Sequence, residues 1–439
     1  MAELHRSLGF WGATGIGIGA IIGTGIFGLI GVASGIAGPA VIISFIIAGF
    51  VALLTGLSTA ELASFIQETG GSYIYTTKAL GKFPGFLVGW MKSFDYIVGA
   101  SAVSVGFAAY FSYFFNLSTS TSTLIIVGSL WPIFLMFLNL KGIKEASWAN
   151  NLLVGLKILA LVVFISVGAF AIFHSGDYTN YQPLFPKGFS GVMAGAAVIF
   201  FAFIGLNTIA IMAEEIKDPE KNVPKAILTA FAICTLIYIG VAVVAVGLVN
   251  WELLGTSNAP LEFALKTATK NVLIIKFVAI SALFATTSVI MSSIMGGSRA
   301  LFAMARQGVL PNSLSKISKQ NVPALTVLLC GILISLIVII TNGNLEWLAS
   351  LFNFGTLLTF VFINLSLLKL RRTMPDSKRS FKVPFYPATP VAAIIGCIML
   401  AFYLNANAVI TAVFFILIGV LVYYLNRRGK DGPPHPLQE

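Results

Sequence analysis

Apolar runs fall at about 10–34, 39–66, 84–115, 122–139, 148–173, 189–214, 225–249, 271–304, 324–341, 346–369, 388–405 and 408–426. A hydrocarbon core roughly 30 Å thick is crossed by about 20 helical residues, so these runs specify an all-α polytopic membrane protein of about 12 transmembrane helices. The composition agrees. Charged residues are 10% of the chain and hydrophobic ones 57%, with a mean hydropathy of +0.94, where a soluble protein would carry roughly a quarter charged residues. The reading is one transmembrane domain over 1–439, embedded in a lipid bilayer.

An even number of spans puts both termini on one side, and the basic residues say which. The N-terminus, the loops after even-numbered spans and the C-terminus hold 21 of the 27 lysines and arginines, among them Arg6, Lys78, Lys141, Lys217, Arg299, Arg371 and Arg427. The other side holds Lys187, Lys266 and Lys270, while Lys92, Lys157 and Lys276 lie within or at the edge of spans. By the positive-inside rule both termini are cytoplasmic in a multi-pass plasma-membrane protein. The net charge of +11 is then topology, and no nucleic-acid partner is needed to explain it. Cys234, Cys330 and Cys397 lie in apolar runs without paired spacing or nearby histidines, which reads as buried thiols and no metal site.

The first run contains Gly15 to Gly28, GIGIGAIIGTGIFG, with six glycines in fourteen residues. Each interior helical glycine costs about 1 kcal/mol against alanine. At membrane depth, non-helical backbone survives only where it is buried in protein or lines a cavity. The stretch therefore reads as a discontinuous helix whose open backbone forms a site; close helix packing through small residues is the plainer alternative. Gly23 to Gly28 also fits G-x-G-x-x-G, but residues 39–60 hold no acid and continue as a second span, against a dinucleotide fold. A second interruption, Phe200 to Asn207 (FFAFIGLN), lies five spans later. Paired interrupted spans point to a transporter built from inverted repeats with its site at the midplane. An odd count of five flips the second copy, so the repeats are about 10–173 and 189–369, with spans at about 388–426 appended.

GIGIGAIIGTGIF and FFAFIGLN resemble the two broken helices of the amino acid–polyamine–organocation superfamily of permeases. Glu214 to Ile227 (EEIKDPEKNVPKAI), and Ser298 to Pro311 with its AMARQGVLP, are similar to that family's loops after spans six and eight, although many relatives have aspartate where Gln307 stands. The resemblance covers nearly the whole chain. It implies a five-plus-five inverted repeat with broken helices one and six, and amino acids or related amines as substrates.

It also implies the site residues. Thr24 and Gly25 would bind a carboxylate at a positive helix end, with Gly23 beside them in the substrate site, and Ala20, Ile21 and Phe201 would face the ammonium. Ala202, Phe203 and Asn207 complete the pocket segment. Phe201 or Phe203 could close it, packing alone being the alternative. Many relatives have an acid at position 207, so Asn207 argues against a cationic or polyamine substrate. Gly25→Leu is expected to block the site without removing core contacts.

Lys157 needs an explanation of its own. It lies about nine residues into the fifth span, ~14 Å along the helix, and a lysine at that depth costs at least ~2.5–3.5 kcal/mol. Burial penalises the charged amine, so such a group can give up its proton. By resemblance, its ammonium stands where sodium-dependent relatives bind an ion, touching carbonyl oxygen near Gly19 and the hydroxyls of Thr286, Thr287 or Ser288. Proton coupling and a structural or exchange-tuning role both remain open. Lys92 and Asp95, three apart on one helix face, read as a structural pair. Glu61 reads as an interface residue and Lys276 as a snorkelling one.

Enzyme readings fail for want of chemistry: His5, His174 and His435 lie at or beyond span ends, and no H-E-x-x-H or G-x-S-x-G is present. Nothing repeats as the polar lining of a channel. The expectation is a secondary active, alternating-access transporter, not an enzyme, carrying small or aliphatic neutral L-amino acids with broad specificity by proton symport. A sodium-independent exchanger and a cationic amino acid or polyamine permease are the alternatives. No cofactor is called for, the small-molecule partners being the amino acid and H+.

Overall fold

The computed structural model describes residues 8–66, 70–141, 147–212, 215–306, 310–318 and 322–428. Each expected apolar run is helical. Span one comprises Phe10–Ile21, Thr24–Phe27 and Leu29–Ala37; span two is Val41–Phe65, span three Lys82–Phe114, span four Thr121–Leu140 and span five Ser147–Ser175. Span six comprises Gly188–Ile199, Phe200–Leu206 and Asn207–Ile211. Pro219–Leu248, Val272–Arg306, Ala324–Ile340, Leu345–Thr373, Ala388–Ala401 and Ala406–Arg428 are spans seven to twelve. The apolar runs do not reveal three short connecting helices, Ser72–Leu80, Trp251–Thr256 and Pro260–Ala268. Their mixed composition lacks the continuous hydrophobicity that marks a span.

Span one packs on six, two on seven, three on eight and four on nine, while ten lies against two, three and eleven. Large apolar side chains such as Phe173, Leu236, Ile340 and Phe402 point outward, as a lipid-facing surface requires. Inside, many hydroxyls bond back to their own helix: Thr14 donates to the Phe10 carbonyl, Ser34 to Ile30 and Ser104 to Ala100, so these groups bring no unmet demand into the hydrocarbon. Asn364 accepts from Ser58 at 2.6 Å and donates to Thr55 at 2.9 Å, tying span ten to span two. All three cysteines are buried and free.

At the lysine- and arginine-rich end, the Leu8 amide donates to the Glu215 carbonyl at 3.1 Å and the Lys217 amide to the Leu8 carbonyl at 2.8 Å. The chain entering span one is thereby paired with the chain leaving span six. This is the work of the EEIKDP stretch, whose Asp218 takes a left-handed turn (φ 45°) before Pro219 opens span seven. Glu214 and residues 307–309 of the loop motifs lie outside the described residues.

Candidate substrate and coupling site

The first break is two residues wide. Helix Phe10–Ile21 stops at Ile22 (φ −77°, ψ 104°), and Gly23 (φ −152°, ψ −151°) precedes the helix that resumes at Thr24. Among the described residues, the amides of Gly23, Thr24 and Gly25 donate to no backbone carbonyl, which leaves donors at a positive helix end. Thr24 is buried with its hydroxyl unpartnered. It abuts Gly106 of span three, where a Cβ would stand 2.9 Å from Thr24 Oγ1. Two buried tyrosines brace the break: Tyr238 of span seven donates to the Ile21 carbonyl at 2.9 Å, and Tyr110 of span three to the Phe27 carbonyl at 2.7 Å.

The second interruption has a different form. The α-helix ends at Ile199, but the chain stays wound as a 3₁₀ helix through Phe200–Leu206 before Asn207–Ile211. The tighter i→i+3 pattern keeps amides paired and shifts the demand to carbonyls at the end of the preceding helix. Asn353 of span ten meets that demand, its Nδ2 donating to the carbonyls of Ala197 at 2.7 Å and Val198 at 3.1 Å. The side chain of Asn207 lies outside the described residues.

The breaks touch through glycine. A Cβ at Gly25 would lie 2.5 Å from Cα of Ala202, and one at Gly205 would lie 2.5 Å from both the carbonyl oxygen of Ala20 and the amide of Ile21. This corrects the expectation that Gly25→Leu would leave packing intact: the side chain would run into the backbone of the other break. The two phenylalanines diverge. Phe201, partly exposed, meets Phe352 at 4.7 Å, whereas Phe203 is fully buried among Phe45, Phe231 and Tyr238 of spans two and seven.

Lys157 is 1% exposed, and its Nζ donates to the Gly19 carbonyl at 3.2 Å, joining span five to the turn before the first break. Thr286 hydrogen-bonds its own helix at the Ala282 and Leu283 carbonyls, while Thr287 accepts from Trp131 Nε1 of span four at 3.2 Å. Ser288 is buried beside them. Three successive helical positions are about 100° apart and so serve different neighbours. Lys92 lies 3.8 Å from Asp95, which also accepts from Thr356 of span ten at 3.1 Å. Glu61 is fully buried in a two-pronged bond with Arg371 at 2.7 and 2.6 Å and accepts from the Val383 amide at 2.6 Å. Lys276 is exposed beside the Phe114 ring.

A cavity of about 650 Å³ opens at the end opposite the Leu8–Lys217 pairing and reaches inward to Gly106, the neighbour of Thr24. Val32, Ala109, Lys187, Trp251 and Glu346 also line it. The first break is thus approached from that end, while at the basic end the Leu8–Lys217 pairing ties span one to the chain leaving span six.

Sequence reasoning passed over Tyr110, Tyr238, Gly106 and Asn353. A tyrosine or asparagine inside an apolar run is the usable signal, because such a group needs a partner there. Which carbonyl it meets depends on tertiary packing.

Residues 8–425 match the family model described as "Amino acid permease". A branched-chain amino acid permease of Bacillus subtilis (strain 168) is 35% identical over 97% of this chain and 94% of its own length. A methylthioribose transporter of the same organism is 34% identical over the same shares. The vacuolar cationic amino acid transporter 4 of Arabidopsis thaliana is 32% identical over 85% of this chain and 64% of its own length.

Proposed function

Because the chain belongs to the amino acid permease family, we propose that it couples transport of neutral, chiefly aliphatic L-amino acids to protons by alternating access. The observation that carries this reading is Lys157, a buried lysine whose ammonium bonds the Gly19 carbonyl beside the first break. A cation at that point holds span five against span one when protonated and lets go when neutral, so a proton rather than sodium sets the state. Gly23, Thr24 and Gly25 bind the substrate carboxylate, and the carbonyls around Ala20, Ile21 and Phe201 face its ammonium. Ala202, Phe203 and Asn207 shape the pocket segment. The hydroxyls at Thr286, Thr287 and Ser288 form the span-eight wall near the lysine.

The pairing of spans one with six, two with seven, three with eight and four with nine supports inverted repeats over spans one to five and six to ten, with eleven and twelve appended. On this reading the basic end is cytoplasmic and the cavity faces outside. Among the described residues no acid belongs to either broken segment, which favours a neutral side chain. The aromatic pair Phe201–Phe352 and the relation to a branched-chain permease favour an aliphatic one.

Counterflow of labelled leucine into proteoliposomes tests the substrate class. Competition by isoleucine, valine and alanine, but not by arginine, putrescine or methylthioribose, is the expected result. If arginine or putrescine alone competes, the neutral-substrate reading is wrong; competition by methylthioribose alone makes the substrate a thiosugar.

A further inference from the structure

The short helix Pro260–Ala268 joins spans seven and eight at the end opposite the basic one and packs on spans five, seven and eight. It belongs to neither break. In its first turn Glu262 is 4% exposed, and its Oε2 is enclosed without a hydrogen-bond partner. Among the described residues no cation lies within ion-pairing distance of it. Lys266, one turn along the same helix, is turned onto the Tyr113 ring at 4.0 Å. One turn before Tyr113, the Tyr110 hydroxyl faces the Leu261 backbone and donates to the Phe27 carbonyl at 2.7 Å. The neighbour of Glu262 is therefore linked to span one through a single side chain.

We propose that Glu262 is a proton-binding site, separate from Lys157, whose protonation keeps this helix docked against span three and the first broken span. A neutral carboxyl can be enclosed there. A carboxylate whose enclosed Oε2 has neither cation nor donor carries a large desolvation penalty, so loss of the proton drives the helix away from Tyr110 and opens the cavity wall beside it. The surrounding titratable groups do not substitute for a partner. Tyr110 and Tyr113 stand on span three and Lys266 sits on the Tyr113 ring. Lys276 of span eight is exposed at the Phe114 ring. His174 is exposed at the end of span five, stacked on Phe170. Glu252 is exposed on the preceding short helix, and span seven contributes the buried Cys234 and Tyr238.

Burial pushes the Glu262 carboxyl from its ordinary 4.5 up to about 8, with Lys266 drawing it back. The docked state thus holds its proton up to about pH 8, while an undocked, solvated carboxyl would release it above 4.5. Docking is favoured by acid and weakens as pH rises through that interval.

The test needs neither substrate nor any role for Lys157. Val32 lines the cavity on the segment that packs against Trp251–Thr256, and the native cysteines are buried, so Val32→Cys reports the opening of this wall to a maleimide in nanodiscs. Between pH 6 and 9 its labelling should rise by up to about two orders of magnitude relative to the same reporter carrying Glu262→Gln, whose neutral side chain stays docked. Lys266→Gln, which removes the nearby cation, should move the midpoint to higher pH. Parallel profiles with and without Glu262→Gln, or a midpoint unmoved by Lys266→Gln, would overturn the proposal.

Discussion

A Cβ at Gly25 would meet Cα of Ala202, and one at Gly205 would meet the Ala20–Ile21 peptide, so each break is held open by a glycine of its own pressed on the backbone of the other. Overpacking such a contact costs about 1–3 kcal/mol, and here the displaced atoms are main chain rather than a flexible tip. Gly25→Ala and Gly205→Ala are each expected to lower thermal stability by that order and to reduce leucine counterflow to background. Near-normal counterflow in both variants would place the substrate elsewhere. The glycine count marks Gly25 as unusual, because a helix does not accept six glycines in fourteen residues without a use for them, while Gly205 stands out only as a glycine among aromatics at mid-span. Neither signal could say that the near neighbour is a second backbone, since periodicity describes one helix at a time.

At the scale of elements, the basic end is held by a buried carboxylate. Glu61 of span two takes two bonds from Arg371 of span ten and a third from the Val383 amide, with Arg379 Nε at 3.4 Å. Removing one side of a buried pair strands the other, at about 3–5 kcal/mol. Glu61→Ala should therefore lower the melting temperature of the purified protein markedly, and Arg371→Lys should fail to restore the wild-type value, because an ammonium cannot supply the planar fork. A melting curve unchanged by either substitution would show the cluster to be incidental. The spans themselves were legible because hydrophobic length is a property of each run. The choice of Arg371 as the partner of Glu61 was not, since 310 residues separate them and only the approach of span ten to span two joins them. The 3₁₀ winding at Phe200–Leu206 was hidden for a similar reason: aromatics beside a glycine signal an interruption, while Asn353 from another span sets its form.

For the whole molecule, a cavity reaches Gly106 from one end and the Leu8–Lys217 pairing lies at the other, which under the proposed function corresponds to one side of an access cycle. Lys157 is placed to bias that cycle because it spans five-to-one contact at the break. Under the proposed function, the Lys157 ammonium bonded to the Gly19 carbonyl would hold spans one and five in the substrate-accepting arrangement, so acid would favour that state and alkali would release it. The lysine was visible in sequence as a charge too deep to snorkel, and the packing supplies its acceptor at Gly19. The most direct measurement is leucine accumulation in proteoliposomes driven by an imposed pH gradient, acid outside, without sodium. Accumulation by the unmodified protein, lost in Lys157→Ala and not recovered in Lys157→Arg, which cannot release its proton, is the predicted result. Accumulation that requires a sodium gradient, or that persists unchanged with pH in Lys157→Ala, would contradict the account.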